Sequence, residues 1–185
     1  TTGIQNTALG HRSMIANTTG AYNTAVGHTA LDANTTGANN TAIGVAAMTD
    51  NTTGHTLTAV GKLALSSNTE GEYNTAVGVQ ALQNVTTGDR NTAVGTFTLT
   101  NTTGSYNTGI GMYSLFSNTS AQFNSALGYQ SLLTNTTGEN NSALGYNALL
   151  LNTTGASNVA VGAYALDANT TANDNVAVGT SSLSS

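Results

Sequence analysis

The sequence predicts an all-β fold, a solenoid (β-roll or β-helix) of about eleven coils of 17 residues. Three observations support this: the phrase NTAVGxxALxxNTTGxx recurs at that period, glycine returns in fixed columns, and each copy has only two regularly placed large apolar side chains. Two such side chains cannot close a core within one copy, so neighbouring copies must stack. We expect residues 1–185 to form a single repetitive segment. The phrase is cut at both ends, which favours a fragment of a longer fibrous protein.

Each copy is numbered here from the asparagine of NTAVG, which gives positions 1 to 17. Position 1 is Asn in every copy except one, where Leu57 replaces it. The copy that begins at Asn91 is one residue short, and its sequence places the loss between Leu99 and Asn101. Asparagine also recurs at position 12. Stacked asparagines can hydrogen-bond from coil to coil, so both columns are predicted to form ladders.

Glycine marks two further columns of the repeat. Position 5 is always glycine, which predicts a positive φ or a close backbone contact there. Position 15 accepts Ala121 and Ala172, so its constraint is weaker. In one typical coil and a half, Gly27, Gly37 and Gly44 are expected to turn the chain.

The segment NTAVG alternates in the manner of a short strand. Position 4 is always Val, Ile or Leu and position 9 is Leu or Met, so Val26, Leu31 and Ile43 are predicted to point into the stack. The segment ALxxNTTG is open to two interpretations, a second strand with a turn or one helical turn ended by Asn and Gly. Strand stacking at ~4.8 Å per coil predicts a rod on the order of 50 Å long.

The composition excludes several classes of partner. Only 6% of the residues are charged, and the net charge is −5. Because there is no basic field for phosphates, we expect no nucleic-acid binding. No apolar run approaches the ~20 residues of a membrane span, so no membrane insertion is expected in this segment. The chain has no cysteine, which excludes disulfides and thiolate metal sites.

Few residues could support catalysis or bind a metal. His11 and His28 should lie about 5 Å apart on adjacent coils and could share a metal, but no carboxylate column supports them. A pair of solvated surface histidines is the favoured interpretation. We therefore predict no enzymatic activity, no cofactor and no metal. NTT triplets such as Asn17–Thr19 match the N-glycosylation sequon, so modification there is open.

One group of variable positions departs from the polar surface. A possible contact stripe on coils seven to nine consists of Tyr113, Phe116, Phe123, Tyr129, Leu133, Tyr146 and Leu150. Exposed apolar stripes usually mark contacts. Contact with another chain of the same fibre is favoured, ahead of a receptor or sugar surface, and ahead of partial burial within the coil.

NTAVG, and above all NVAVG at 158–162 and 175–179, resembles the repeats of trimeric autotransporter adhesin heads. The longer phrase NTAVGxxALxxNTTG resembles repeats of phage tail-fibre and tail-fibre-like proteins. The resemblance implies a parallel homo-oligomer, with a trimer favoured, on a bacterial cell surface or a virion. Identical chains would be the first partners, and a host or prey cell-surface glycan or protein a further one. The adhesin repeat is usually shorter, so the cross-section and number of chains can differ.

The leading functional hypothesis is therefore a structural segment of an extracellular attachment fibre. The alternative is an ice-binding solenoid, in which the Thr columns at positions 2, 13 and 14 order water. Against it, Glu70 and Ser120 interrupt position 14, and Val and Ser interrupt position 2. A polysaccharide lyase or hydrolase on a β-helix would need a groove of carboxylates, which the sequence lacks.

Overall fold

The computed structural model describes residues 2–184, and within them the chain forms a β-solenoid of stacked coils. All eleven strands belong to one parallel sheet, in which each strand pairs with the strand of the next coil. The register is uniform, so Thr24 pairs with Thr41 and Ala25 with Ala42. The strands are β1 Thr7–Leu9, β2 Thr24–Val26, β3 Thr41–Ile43, β4 Thr58–Val60, β5 Thr75–Val77, β6 Thr92–Val94, β7 Thr108–Ile110, β8 Ser125–Leu127, β9 Ser142–Leu144, β10 Val159–Val161 and β11 Val176–Val178.

The core is a narrow column of small and medium side chains. Position 3 supplies alanine, which is buried from Ala25 to Ala177, and position 9 supplies leucine or methionine. Leu31, for example, is fully buried, as predicted. Position 8 adds Ala, Ser or Thr. A 17-residue coil encloses little space, so one long side chain and two short ones fill each layer.

The prediction that position 4 also points inward is wrong. No residue of this column is buried: Val26 is half-buried and Ile43 is exposed. Successive side chains of a strand point to opposite faces. Since alanine at position 3 faces the core, positions 2 and 4 must face outward, and the aliphatic side chains lie on the surface.

The segment ALxxNTTG is neither a strand nor a helical turn. Positions 6 to 11 form two consecutive hydrogen-bonded turns, seen where Ala30 donates its N–H to the Gly27 carbonyl and Asn34 donates to the Leu31 carbonyl. Positions 7, 9 and 17 adopt left-handed backbone angles in every coil, with φ of 51 to 61° at non-glycine residues. Backbone bonds between coils continue through these turns, which keeps the stack in register.

The two glycine columns have different causes. Position 5 has φ between 122 and 143°, and a Cβ atom there would also overlap the glycine carbonyl of the next coil. Both predicted reasons for its invariance therefore apply. Position 15 is outside the left-handed region, so Gly37 does not turn the chain as expected. It is small because a Cβ atom would overlap the Gly54 carbonyl and the Asn34 amide oxygen.

Both asparagine columns tie successive coils together, as predicted. At position 12, Asn34 donates from Nδ2 to Oδ1 of Asn17 at 2.8 Å and to the Gly37 carbonyl at 3.0 Å. At position 1 the side-chain amide bonds to backbone groups at the end of its own coil and at the start of the next one. The Oδ1 atom of Asn23 accepts from the Asn40 N–H at 3.0 Å, and its Nδ2 donates to the Gly37 carbonyl at 2.9 Å.

The position-12 ladder is interrupted at coils five and six, by Val85 and Thr102. The shortened coil does not lose its residue between Leu99 and Asn101 as predicted. Instead Asn101 accepts a bond from Asn84, a position-11 residue, at 2.9 Å. Thr102 is buried in the ladder and accepts from Asn118 at 3.0 Å. The coil is therefore shortened in the Thr-Thr bend after position 12. Position 12 itself points into the core and is filled by Thr102.

Candidate interaction surfaces

The outer face of the sheet carries one aliphatic side chain per coil at position 4. Their exposed fraction is 40% at Ile43 and 50% at Leu144, and it rises to 66% at Leu9 and 69% at Val178 in the end coils. We call this set the aliphatic column: Leu9, Val26, Ile43, Val60, Val77, Val94, Ile110, Leu127, Leu144, Val161 and Val178. No charged residue of the sequence stands at positions 1 to 5. The column is therefore an uncharged apolar strip along the whole stack.

Threonine lies beside this column at position 2 in β1 to β7. Within residues 2–184 these seven hydroxyls make no hydrogen bond to the protein, so they are open to solvent or to a partner. The threonines of position 13 differ, because their hydroxyls bond to the backbone of the next coil. Thr35, for example, donates to the Thr52 carbonyl at 3.0 Å. Position 13 is thus part of the scaffold rather than a free Thr surface.

A second surface consists of aromatic rings at positions 6 and 7 of coils six to ten. We call it the tyrosine column: Phe97, Tyr113, Tyr129, Tyr146 and Tyr164. Centroids of consecutive rings lie 5.2, 6.5, 5.4 and 5.3 Å apart. Phe97 stacks on Tyr113 and Tyr129 on Tyr146, whereas the other two pairs meet edge to face. The rings form one continuous contact along five coils.

Four of the seven residues of the predicted contact stripe are joined by ring contacts: Tyr113, Phe116, Tyr129 and Tyr146. Phe116 meets Tyr113 edge-on at 5.6 Å. Leu133 and Leu150 are half-buried at position 10 of the next two coils. Phe123 belongs elsewhere, because position 17 is on another side of the coil.

Sequence reasoning missed Phe97 and Tyr164 as members of the tyrosine column. Both occupy position 7, as Tyr113 does. Reading positions 6 and 7 together would have found them, since rings at either position reach the same column.

Phe123 is the end of a separate stack at position 17. Its ring stacks on Tyr106 at 5.1 Å. The Arg90 guanidinium carbon lies 5.1 Å from the Tyr73 ring centre and 5.5 Å from that of Tyr106. Arg90 also donates a hydrogen bond to the Tyr106 hydroxyl at 3.2 Å. We call this set the arginine stack: Tyr73, Arg90, Tyr106 and Phe123. It couples coils four to six through cation–π contacts and coil seven through ring stacking.

The remaining titratable groups are scattered. The rings of His11 and His28 stack with centroids 5.2 Å apart, close to the predicted separation. Within residues 2–184 no group of three or more His, Asp or Glu side chains is placed to hold a metal ion. Arg12 pairs with Asp32 at 3.1 Å, and His55 lies 3.0 Å from Glu72.

The asparagines of position 12 are buried from Asn17 to Asn152, and Asn169 is half-buried. Both amide hydrogens of Asn135 are used, in bonds to Asn118 Oδ1 at 3.0 Å and to the Gly138 carbonyl at 2.9 Å. Asn135 is fully buried. A glycan on this nitrogen is therefore incompatible with the folded coil.

One phenol has a perturbed titration. A side-chain hydrogen bond with Tyr146 is the largest cause that raises the pKa of Tyr164 above its ordinary value, followed by desolvation and by the charges of Tyr146 and Asp167. The two rings are neighbours in the tyrosine column.

Comparison with known proteins gave no relatives: no family model, no curated protein and no solved structure matches the chain. In residues 2–184 there is no helix of the length and apolarity that a bilayer crossing requires. Function must therefore be argued from the surfaces themselves.

Proposed function

We propose that the chain is a structural segment of an extracellular attachment fibre, in which identical chains associate side by side along the outer face of the sheet. The proposal rests on the aliphatic column. Its side chains are not needed to fill the solenoid core, because positions 3, 8 and 9 already fill it. A continuous exposed apolar strip on a soluble surface usually marks a protein contact.

A second copy of this chain is the partner that fits the strip. The aliphatic residues recur at each coil, so a partner matches them throughout only if it has the same spacing. Eleven coils at ~4.8 Å give a face on the order of 50 Å long. With a width of about five residues, roughly 16 Å, it offers on the order of 800 Å² per chain, as in a standard stable interface.

The lack of charge on this face also favours self-association. Identical charges in register would repel at every step of a parallel assembly. All eleven charged side chains stand outside positions 1 to 5. Parallel association therefore brings no like charges together on the outer face of the sheet. The resemblance of the repeat to trimeric adhesin heads favours three chains.

The attachment role rests on the same resemblance, to bacterial adhesin heads and tail fibres, and we propose on that basis that the fibre stands on a bacterial surface or a virion. We infer a structural rather than catalytic role because the eleven charged side chains are few and are spread over positions 6, 7, 10, 11, 14, 16 and 17 of the repeat. The tyrosine column with Leu133 and Leu150 is the surface on which we propose that a host or prey glycan or protein binds.

Sedimentation velocity tests the assembly. We expect the wild-type chain to associate and the triple variant Ile43→Thr/Val60→Thr/Val77→Thr to sediment as a monomer with an unchanged circular dichroism spectrum. β-Branched threonine keeps the strand propensity while removing the apolar contact. The matched control, Thr19→Ser/Thr36→Ser/Thr53→Ser at position 14, should assemble like the wild type. A monomeric wild-type chain at high concentration, or an assembled triple variant, contradicts the proposal.

A glycan array and whole-cell binding test the attachment surface. The assembled chain should bind, and Leu133→Ser/Leu150→Ser should weaken binding because it removes apolar contact area, while assembly through the aliphatic column is kept. If binding is unchanged in this variant, these leucines are not contact residues.

A second function, ice binding, is favoured by one observation. The seven threonines of position 2 lie on the outer face of one parallel sheet, in register at the ~4.8 Å spacing of strands, and their hydroxyls make no hydrogen bond within residues 2–184. A thermal-hysteresis measurement separates the two functions. Activity that is lost in Thr41→Val/Thr58→Val/Thr75→Val would support ice binding, and zero activity at high concentration removes it.

A further inference from the structure

Four of the seven tyrosines in the sequence are neighbours in the tyrosine column. Tyr129 and Tyr146 stack with an interplanar angle of 13° and centroids 5.4 Å apart. Tyr146 and Tyr164 meet at 65° with centroids 5.3 Å apart. Their exposed fractions are 39%, 46% and 40% in chain order. The rings are thus close to one another and open to reagents in solution.

The other tyrosines lack a tyrosine neighbour. Arg90 lies between Tyr73 and Tyr106 and keeps their rings apart. No aromatic pair among the described residues includes Tyr22. The chain therefore contains its own controls, in the form of exposed tyrosines in the same fold.

We propose that Tyr129, Tyr146 and Tyr164 form an oxidative cross-linking site, at which peroxide acting through a peroxidase joins adjacent coils as dityrosine. The reaction does not depend on the proposed assembly, because the three rings belong to one chain.

Hydrogen peroxide is the oxidant, and it accepts the two electrons and two protons that the phenols lose. Each of two phenols loses one electron and one proton and becomes a phenoxyl radical. The radicals join by a carbon–carbon bond between the ring carbons ortho to the oxygens. The hydrogen on each bonded carbon then moves to the oxygen and restores the phenol. In total the two rings lose two hydrogens, and one hydrogen peroxide takes them up to give two waters.

The solenoid favours this reaction by holding the rings together. Groups fixed in contact react far faster than the same groups free in solution, because the entropy of bringing them together is already lost. The rings stand on consecutive coils that are held by strand pairing and asparagine bonds. A link from Tyr146 to either neighbour would join two coils covalently and oppose their separation.

The test uses the full chain, a haem peroxidase and hydrogen peroxide at a protein concentration too low for encounters between chains. We expect dityrosine fluorescence, an intact mass lower by two hydrogens per link, and a cross-linked peptide pair that contains Tyr146. Tyr146→Phe keeps the ring stack and should lose most of the signal. Tyr129→Phe/Tyr164→Phe, which leaves Tyr146 without an adjacent phenol in its column, should lose it too.

The controls are Tyr22→Phe and Tyr106→Phe, which should give the wild-type signal. Circular dichroism verifies that every variant is folded. Absence of dityrosine in the wild-type chain would overturn the proposal. So would an undiminished signal in Tyr146→Phe, or a signal found only in a species of twice the chain mass.

Discussion

Gly109 and Thr98 share one space inside the solenoid. A Cβ atom on Gly109 would lie 2.7 Å from Cγ2 of Thr98 and 2.9 Å from Oγ of Ser114. Gly109 replaces the alanine usual at position 3, and Thr98 is larger than the alanine of most coils at position 8. The missing methyl group of one residue thus makes room for the extra atoms of the other.

Gly109→Ala should destabilise the chain by about 1–3 kcal/mol, the usual cost of overpacking a core. Adding Thr98→Ala should recover most of this loss, because it removes the clashing methyl group. Chemical denaturation of the two single variants and the double variant measures the coupling. Additive effects of the two substitutions would show that they do not share the space.

Val85→Asn should stabilise the chain by about 1–2 kcal/mol. The Oδ1 atom of Asn68 is buried without a hydrogen-bond partner, because the residue one coil further is Val85 rather than a donor. An asparagine there can donate to Asn68 and continue the ladder towards Thr102. Thermal unfolding measures the gain. The reciprocal variant Asn51→Val, within the intact ladder, should lower the stability, and the idea fails if both substitutions act in the same direction.

Thr56→Asn should stabilise the chain by roughly 0.5–1 kcal/mol, since a β-branched residue is costly at positive φ whereas asparagine tolerates it. Thr56 has φ of 58° and is exposed. Asn39 and Asn140 already occupy this position in other coils. Thr58→Asn, in strand β4, is the matched control and should be destabilising. Equal effects at the two sites would argue against the backbone explanation.

Tyr146→Phe should lower the pKa of Tyr164 towards its ordinary value of 10.0, because it removes the hydrogen-bond partner that raises it. A raised pKa means that folding favours the neutral phenol. This contribution is fully present below the ordinary pKa and is lost as the pH rises through the raised pKa of the folded chain. Ultraviolet titration of tyrosinate absorbance provides the measurement. An unchanged titration of Tyr164 would mean that the contact with Tyr146 has no energetic effect.

Much of the fold could be predicted from columns alone. Stacking requires the same kind of residue at the same position of every coil. This requirement predicts the period, the strand at positions 2 to 4, the buried leucine and the asparagine ladders. The face of the strand could not be predicted in this way. The alternation of Thr-Ala-Val is compatible with Ala25 in the core or with Val26 in the core. The interior of the coil is narrow, so the smaller alanine faces the core.

The tyrosine column and the arginine stack were harder to predict because their residues do not repeat in every coil. Phe123 appears with the stripe in sequence, but in the structure its ring stacks on Tyr106 in the column of position 17. The place of the missing residue was also hidden. Aligning the copies of the repeat puts Asn101 at position 12. In the structure Thr102 occupies position 12, and the residue is lost from the exposed bend that follows.

The position-12 ladder has a direction, and this gives the coil an order of assembly. Every amide that bonds along it donates towards the preceding coil, as Asn34 does to Asn17 and Asn152 does to Asn135. A ribosome releases the N-terminal coil first. Each newly synthesised asparagine then meets an acceptor that is already fixed in place, so the solenoid can grow by addition at one end while translation continues.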